Sequence, residues 1–199
     1  MAHTFCIDLT LEQKSQLLAI ARQSIRSGLR TREPLLLDCT ELVGALGQEL
    51  GTFVTLRRED ELHGCVGSIE PQGPLAQGVA VMAYHAAFRD SRFPPLGFAE
   101  IEQINIEISV LSVPRPVDCN SETELLASLQ PGADGLLLED RGQRATFLPQ
   151  VWDRLDDPAE FVRQLKQKAG WPMDHWSSSI RAHRYRTISF EEATVAAQI

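Results

Sequence analysis

The apolar period of the chain changes from three-to-four residues to two at Gly51, and this change limits the fold to one that mixes packed helices with half-buried strands. Thr10 and Gln13 form a capping box, and Leu17, Leu18, Ala21 and Ile25 recur at helical spacing, so an amphipathic helix is predicted over about 11–28. From Gly51 onward "TFVTLRR" and "LHGCVGSI" flank the polar "EDE", which predicts an antiparallel hairpin over 51–70. Between the two lies a short helix around 40–49, interrupted by Gly44 and Gly47. Pro74 starts a second helix over 74–88, and Pro94-Pro95 forces the chain out of helical geometry beyond it. Ile104, Ile106, Ile108 and Val110 alternate as a half-buried strand closed by Pro114 and Pro116. Ser121 and Glu124 cap a short helix, "GLLLED" and "QRATFLP" make a second hairpin over 135–149, Asp157-Pro158 opens a further helix ending at Gly170, and "HRYRTISF" closes as a strand. Hairpins interspersed with helices indicate an α+β fold, a mainly antiparallel sheet flanked by helices, within one domain over 1–199 that accommodates two packed subdomains.

Several function classes fall away on composition. Four cysteines (Cys6, Cys39, Cys65, Cys119) are widely spaced and form no CxxC pair, so neither a metal module nor a disulfide framework is expected. They read as reduced thiols of a cytoplasmic protein. The net charge of −8 opposes binding to a phosphate backbone, and the basic "RAHRYR" reads as a solvated strand rather than a nucleic-acid patch. No apolar run is long enough to span a membrane. GxSxG, GxxxxGK[ST], HExxH and GxGxxG are all missing, which leaves no cofactor motif.

Chemistry concentrates in "LHGCVGSIEP". Two residues apart on a regular strand, His63 and Cys65 share a face with their Cβ atoms about 6.6 Å apart. A bulge at Gly64 would bring the side chains together or break that alternation. Gly64 and Gly67 clear space around the thiol, as strand glycines do where a ligand or another backbone approaches. Two readings stay open: a nucleophile activated by its imidazole neighbour, or a packed cysteine behaving as a small hydrophobe. In "RDSRF", Asp90, Arg92 and Phe93 form a loop that either binds an anion or partner, or is pinned by its own ion pair. Gln150 in "FLPQVW" serves a pocket or nearby backbone, His175 joins Trp171 and Trp176 in an aromatic corner, and Glu107 and Ser109 occupy the polar face of a strand.

Taken in order, "GTFVTL", "LHGCVGSIEP", "AAFRDSRFPPL", "ISVLSVP", "FLPQVW" and "FVRQLKQKAGW" resemble the AMMECR1 domain family, which includes the AmmeMemoRadiSam system protein A members, over residues 10–190. The family's LRGCIG pattern falls on this chain with its cysteine at Cys65 and glycines at Gly64 and Gly67, and His63 stands in place of arginine. Its DPRF loop falls on Asp90, Arg92 and Phe93, with Ser91 in place of proline. The resemblance implies an α+β fold of two packed subdomains around an antiparallel sheet. It also implies association with a Memo-like protein and a radical SAM protein, and it supplies no reaction. Two roles are therefore expected of the chain: a cysteine-dependent enzyme component with Cys65 as nucleophile, His63 as its base and Arg92 on an anionic group, or a non-catalytic adaptor that presents a substrate to those partners.

Overall fold

The computed structural model describes residues 7–59 and 61–198. The chain divides into two compact units, one formed by Ile7–Leu111 with the segment from Ile188 onward, the other by Ser112–Thr187. Cys6 lies outside the described residues.

In the first unit, helix α1 (Leu11–Thr31) begins at the expected capping box, with Thr10 Oγ1 accepting from the Gln13 backbone and Gln13 Oε1 from that of Thr10. The helix runs three residues beyond Gly28, which is no terminator. A Cβ there would lie 2.6 Å from the Tyr84 ring and 2.7 Å from that of Phe88, so glycine admits the neighbouring helix instead. Arg32, in the left-handed region at φ 60°, caps the helix in its place. The expected helix over 40–49 is replaced by two 3-10 turns, Cys39–Glu41 and Gly44–Gly47, with Gly44 at φ 62° breaking any helical run.

Strands β1 (Gly51–Arg58) and β2 (Glu61–Ser68) form the predicted hairpin, turning through Glu59 at φ 51°. Helix α2 (Leu75–Phe88) packs between α1 and these two strands. Strand β3 (Ile104–Leu111) pairs antiparallel with β1, and the sheet has the order β2-β1-β3-β8, with β8 (Thr187–Glu191) entering from the far end of the chain. Leu17, Ile25, Val54, Leu56, Leu75, Val79, Ile106 and Ile108, all fully buried, form the core between the helices and one sheet face. Full burial of each such side chain contributes about 1.5–3 kcal/mol. The short α5 (Glu192–Ala196) follows β8, and its Glu192 binds Arg22 of α1 at 2.5 and 2.6 Å.

The second unit has its own sheet and core. Strands β4 (Arg115–Pro116), β5 (Gly135–Asp140), β6 (Gln143–Phe147) and β7 (Arg181–Tyr185) are ordered β4-β7-β5-β6, with β5 and β6 the second predicted hairpin. Helices α3 (Glu122–Ser128) and α4 (Pro158–Lys168) complete it. Trp152 stacks on Phe161 at 3.7 Å between ring centroids and donates its indole N–H to the Asp134 carbonyl. The expected closing strand "HRYRTISF" divides at Arg186 into β7 and β8, which belong to different sheets. Arg186 N–H donates to Ser112 Oγ and its carbonyl accepts from Ser112 N, so pairing is exchanged where β7 ends. The arginines of "RAHRYR" are partly neutralised, with Arg184 and Arg186 on the fully buried Asp134 carboxylate.

Candidate functional site

The hairpin register decides what surrounds Cys65. Val66 pairs with Val54 and Gly64 with Leu56, and these positions face α2; Cys65 pairs with Thr55 and Gly67 with Phe53 on the opposite face. The half-buried Cys65 is thus outside the apolar core cluster. Its Sγ accepts a hydrogen bond from Thr55 Oγ1 at 3.3 Å. Thr55 is paired on its other side with Glu107 of β3, so thiol, hydroxyl and carboxylate occupy one cross-strand row.

A bulge separates His63 from this row. Arg57 pairs with Leu62 and Leu56 with Gly64, leaving His63 as the extra residue between two steps of the partner strand. Its imidazole instead lies near-parallel to the Phe93 ring, 6.4 Å between centroids, and its buried Nε2 has no hydrogen-bond partner among the described residues. No hydrogen bond joins His63 and Cys65 among those residues.

Asp90, Arg92 and Phe93 come to the same strand because Gly64 lets them. A Cβ at Gly64 would sit 2.1 Å from the Ala86 carbonyl oxygen, so only glycine allows the last turn of α2 to press on β2. The loop leaving α2 is fixed by Leu96 N–H on the Ala87 carbonyl and by Phe93 N–H on that of Asp90. The Asp90 carboxylate, only 6% exposed, accepts the Cys65 N–H at 2.9 Å, and Arg92 donates to the Cys65 carbonyl at 2.9 Å. Arg92 also binds both Asp90 oxygens, at 2.9 Å from Nε and 2.6 Å from Nη2. Since β2 is a sheet edge, this pair offers one acceptor and one donor to Cys65, as a further strand would. Hydrogen bonds from Arg92 hold the Asp90 carboxyl well below the usual carboxylate range, and the same bonds raise Arg92. Arg92 keeps 58% of its side chain exposed and lies 5.4 Å over the Phe93 ring.

Gly67 has a different neighbour, the Phe53 ring, which would stand 2.2 Å from an added Cβ. Gln150 lies in the second unit, exposed on the 3-10 turn Pro149–Asp153. Of the expected residues, the structure therefore gathers His63, Gly64, Cys65, Asp90, Arg92 and Phe93 around the edge strand. Thr55 and the in-line Glu107 were not singled out around the thiol by sequence. Knowing the hairpin register would have found them. Among the described residues no group of three or more His, Cys, Asp or Glu side chains is arranged to hold a metal ion, and no helix is long and apolar enough to cross a membrane.

The AMMECR1 family model matches residues 18–190. A protein of Methanothermobacter thermautotrophicus is 34% identical over 186 residues, covering 92% of this chain and 96% of its own, and one of Methanocaldococcus jannaschii is 33% identical, with 92% of each chain covered. The crystal structure of an uncharacterized protein from Pyrococcus horikoshii is similar with a TM-score of 0.78 and 30% identity, over 88% of this chain and 89% of that one. The Pyrococcus horikoshii structure shares the α+β fold of this chain. The chain belongs to the AMMECR1 family.

Proposed function

We propose that this chain is a cytoplasmic, cysteine-dependent enzyme component in which Cys65 is the reacting group, acting with a Memo-like protein and a radical SAM protein. The observation that carries the reading is the placement of Cys65, half-buried on the sheet face away from the core, with its backbone held by Asp90 and Arg92. A cysteine serving only as a small hydrophobe has no need of that orientation or of a hydroxyl donor on its sulfur. The partners come from the family resemblance, and with no cofactor motif in the chain, redox chemistry would reside in them.

Mass-spectrometric mapping of alkylated cysteines tests the reading. In native protein near neutral pH, Cys65 is modified ahead of Cys6, Cys39 and Cys119. Protection of Cys65 until denaturation removes it. The adaptor reading is favoured by one observation: Asp90 and Arg92 are already joined on the strand edge, with 58% of the Arg92 side chain exposed. Under that reading an Arg92→Ala, Phe93→Ala variant loses a Memo-like or radical SAM partner in affinity purification while a Cys65→Ser variant retains it.

A further inference from the structure

The geometry points to Thr55 as the positioning residue of the Cys65 thiol, in the place first expected of His63. The inference rests on the reading that Cys65 reacts, and goes beyond it by naming the group that orients and activates the sulfur.

Among the described residues three polar side chains bond to Cys65, and two of them hold its backbone. Asp90 and Arg92 bind its backbone N–H and carbonyl, and the Arg92 guanidinium also acts on the Cys65 thiol as a neighbouring positive charge. His63 is set apart by the bulge and lies against Phe93. Thr55 donates to Sγ at 3.3 Å from the directly opposed position on β1. A hydroxyl donor favours the thiolate over the thiol, because the anion is the better acceptor. The β-branched side chain on a paired strand has few rotamers, so the hydroxyl is already oriented before the thiol ionises. The opposing influence comes from the same row: Glu107, paired with Thr55, places a carboxylate one strand further away, and Arg57 lies 3.8 Å from it. The hydroxyl therefore stands between the sulfur and a like charge. On ionisation the thiol proton passes to bulk water, and no other bond changes.

The test follows alkylation of Cys65 by iodoacetamide against pH in the full-length protein, read by mass spectrometry for the parent, T55V and T55S. T55V keeps the shape of the side chain and removes the hydroxyl. It is expected to slow alkylation near neutral pH by about three- to tenfold, with the rate profile moved to higher pH, while T55S stays close to the parent. A hydroxyl that only fills space would leave the profile in place, so coincident T55V and parent profiles overturn the inference. Thermal melts establish that each variant is folded. If T55V is not, T55A replaces it, and a T55A profile coincident with that of T55S is then the overturning result. An unreactive Cys65 in the parent protein defeats the reading of Cys65 as the reacting group, whereas a reactive Cys65 indifferent to position 55 defeats this inference alone.

Discussion

Asp90 and Cys65 are 25 residues apart in sequence and share a hydrogen bond at the open edge of β2. Because Asp90 is held below its ordinary range by Arg92, its contribution to stability is complete above about pH 4 and is lost as pH falls further toward the folded value. Asp140 adds to the same acid dependence: hydrogen bonds from Ser179, His175 and Ser177 lower its carboxyl to about 2. Asp90→Asn should accordingly melt below the parent at neutral pH, with the difference narrowing on acidification. A constant gap in melts taken from neutral to acid pH would show that the charge of Asp90 is not what the clamp uses. Amide hydrogen exchange supplies a local check, since Cys65 N–H should exchange faster in Asp90→Ala than in the parent. His63→Ala should move the alkylation profile of Cys65 less than Thr55→Val does, because the bulge sets the imidazole beside Phe93. The Asp90–Arg92 ion pair is one of the two readings the sequence offers for "RDSRF", whereas the bulge at His63 and the contact of Asp90 with Cys65 are not legible there. A bulge changes which residues share a face without changing any residue type, so "LHGC" reads the same with or without it.

Between elements, glycines decide how closely packing can proceed. Gly64 meets a backbone carbonyl of α2 and Gly67 meets the ring of Phe53. A backbone oxygen cannot rotate away and a ring can, so Gly64→Ala should be the costlier of the two, destabilising by about 1–3 kcal/mol or more through overpacking. Chemical denaturation of the single variants and of Gly67→Ala with Phe53→Ala measures this. Partial relief of the Gly67→Ala penalty by the second substitution, which removes the ring but not the Phe53 Cα at 2.6 Å, with none at Gly64→Ala, is the expected pattern; equal penalties at both positions would contradict it. The elements themselves were largely readable. Period-two alternation located both hairpins and β3, and capping residues located the starts of α1, α3 and α4. Two boundaries escaped for physical reasons. Gly28 looks like a helix end but is a contact point for Tyr84 and Phe88, and "HRYRTISF" carries no glycine or proline to mark its division at Arg186.

Across the chain, each unit encloses its own apolar core and its own sheet, and every residue gathered around Cys65 belongs to the first. Gln150 belongs to the second unit, and a motif's order along the chain says nothing of which core it folds into. Affinity purification with the parent protein should recover a Memo-like or radical SAM protein, and recovery of neither would leave Cys65 to act without them. The account depends above all on the thiol being available on the folded sheet. Alkylation mapping of native protein near neutral pH reads this for all four cysteines at once. Cys65 labelled first, at a rate lowered by Thr55→Val, is the predicted result; Cys65 protected at every pH until the chain unfolds is the result that contradicts it.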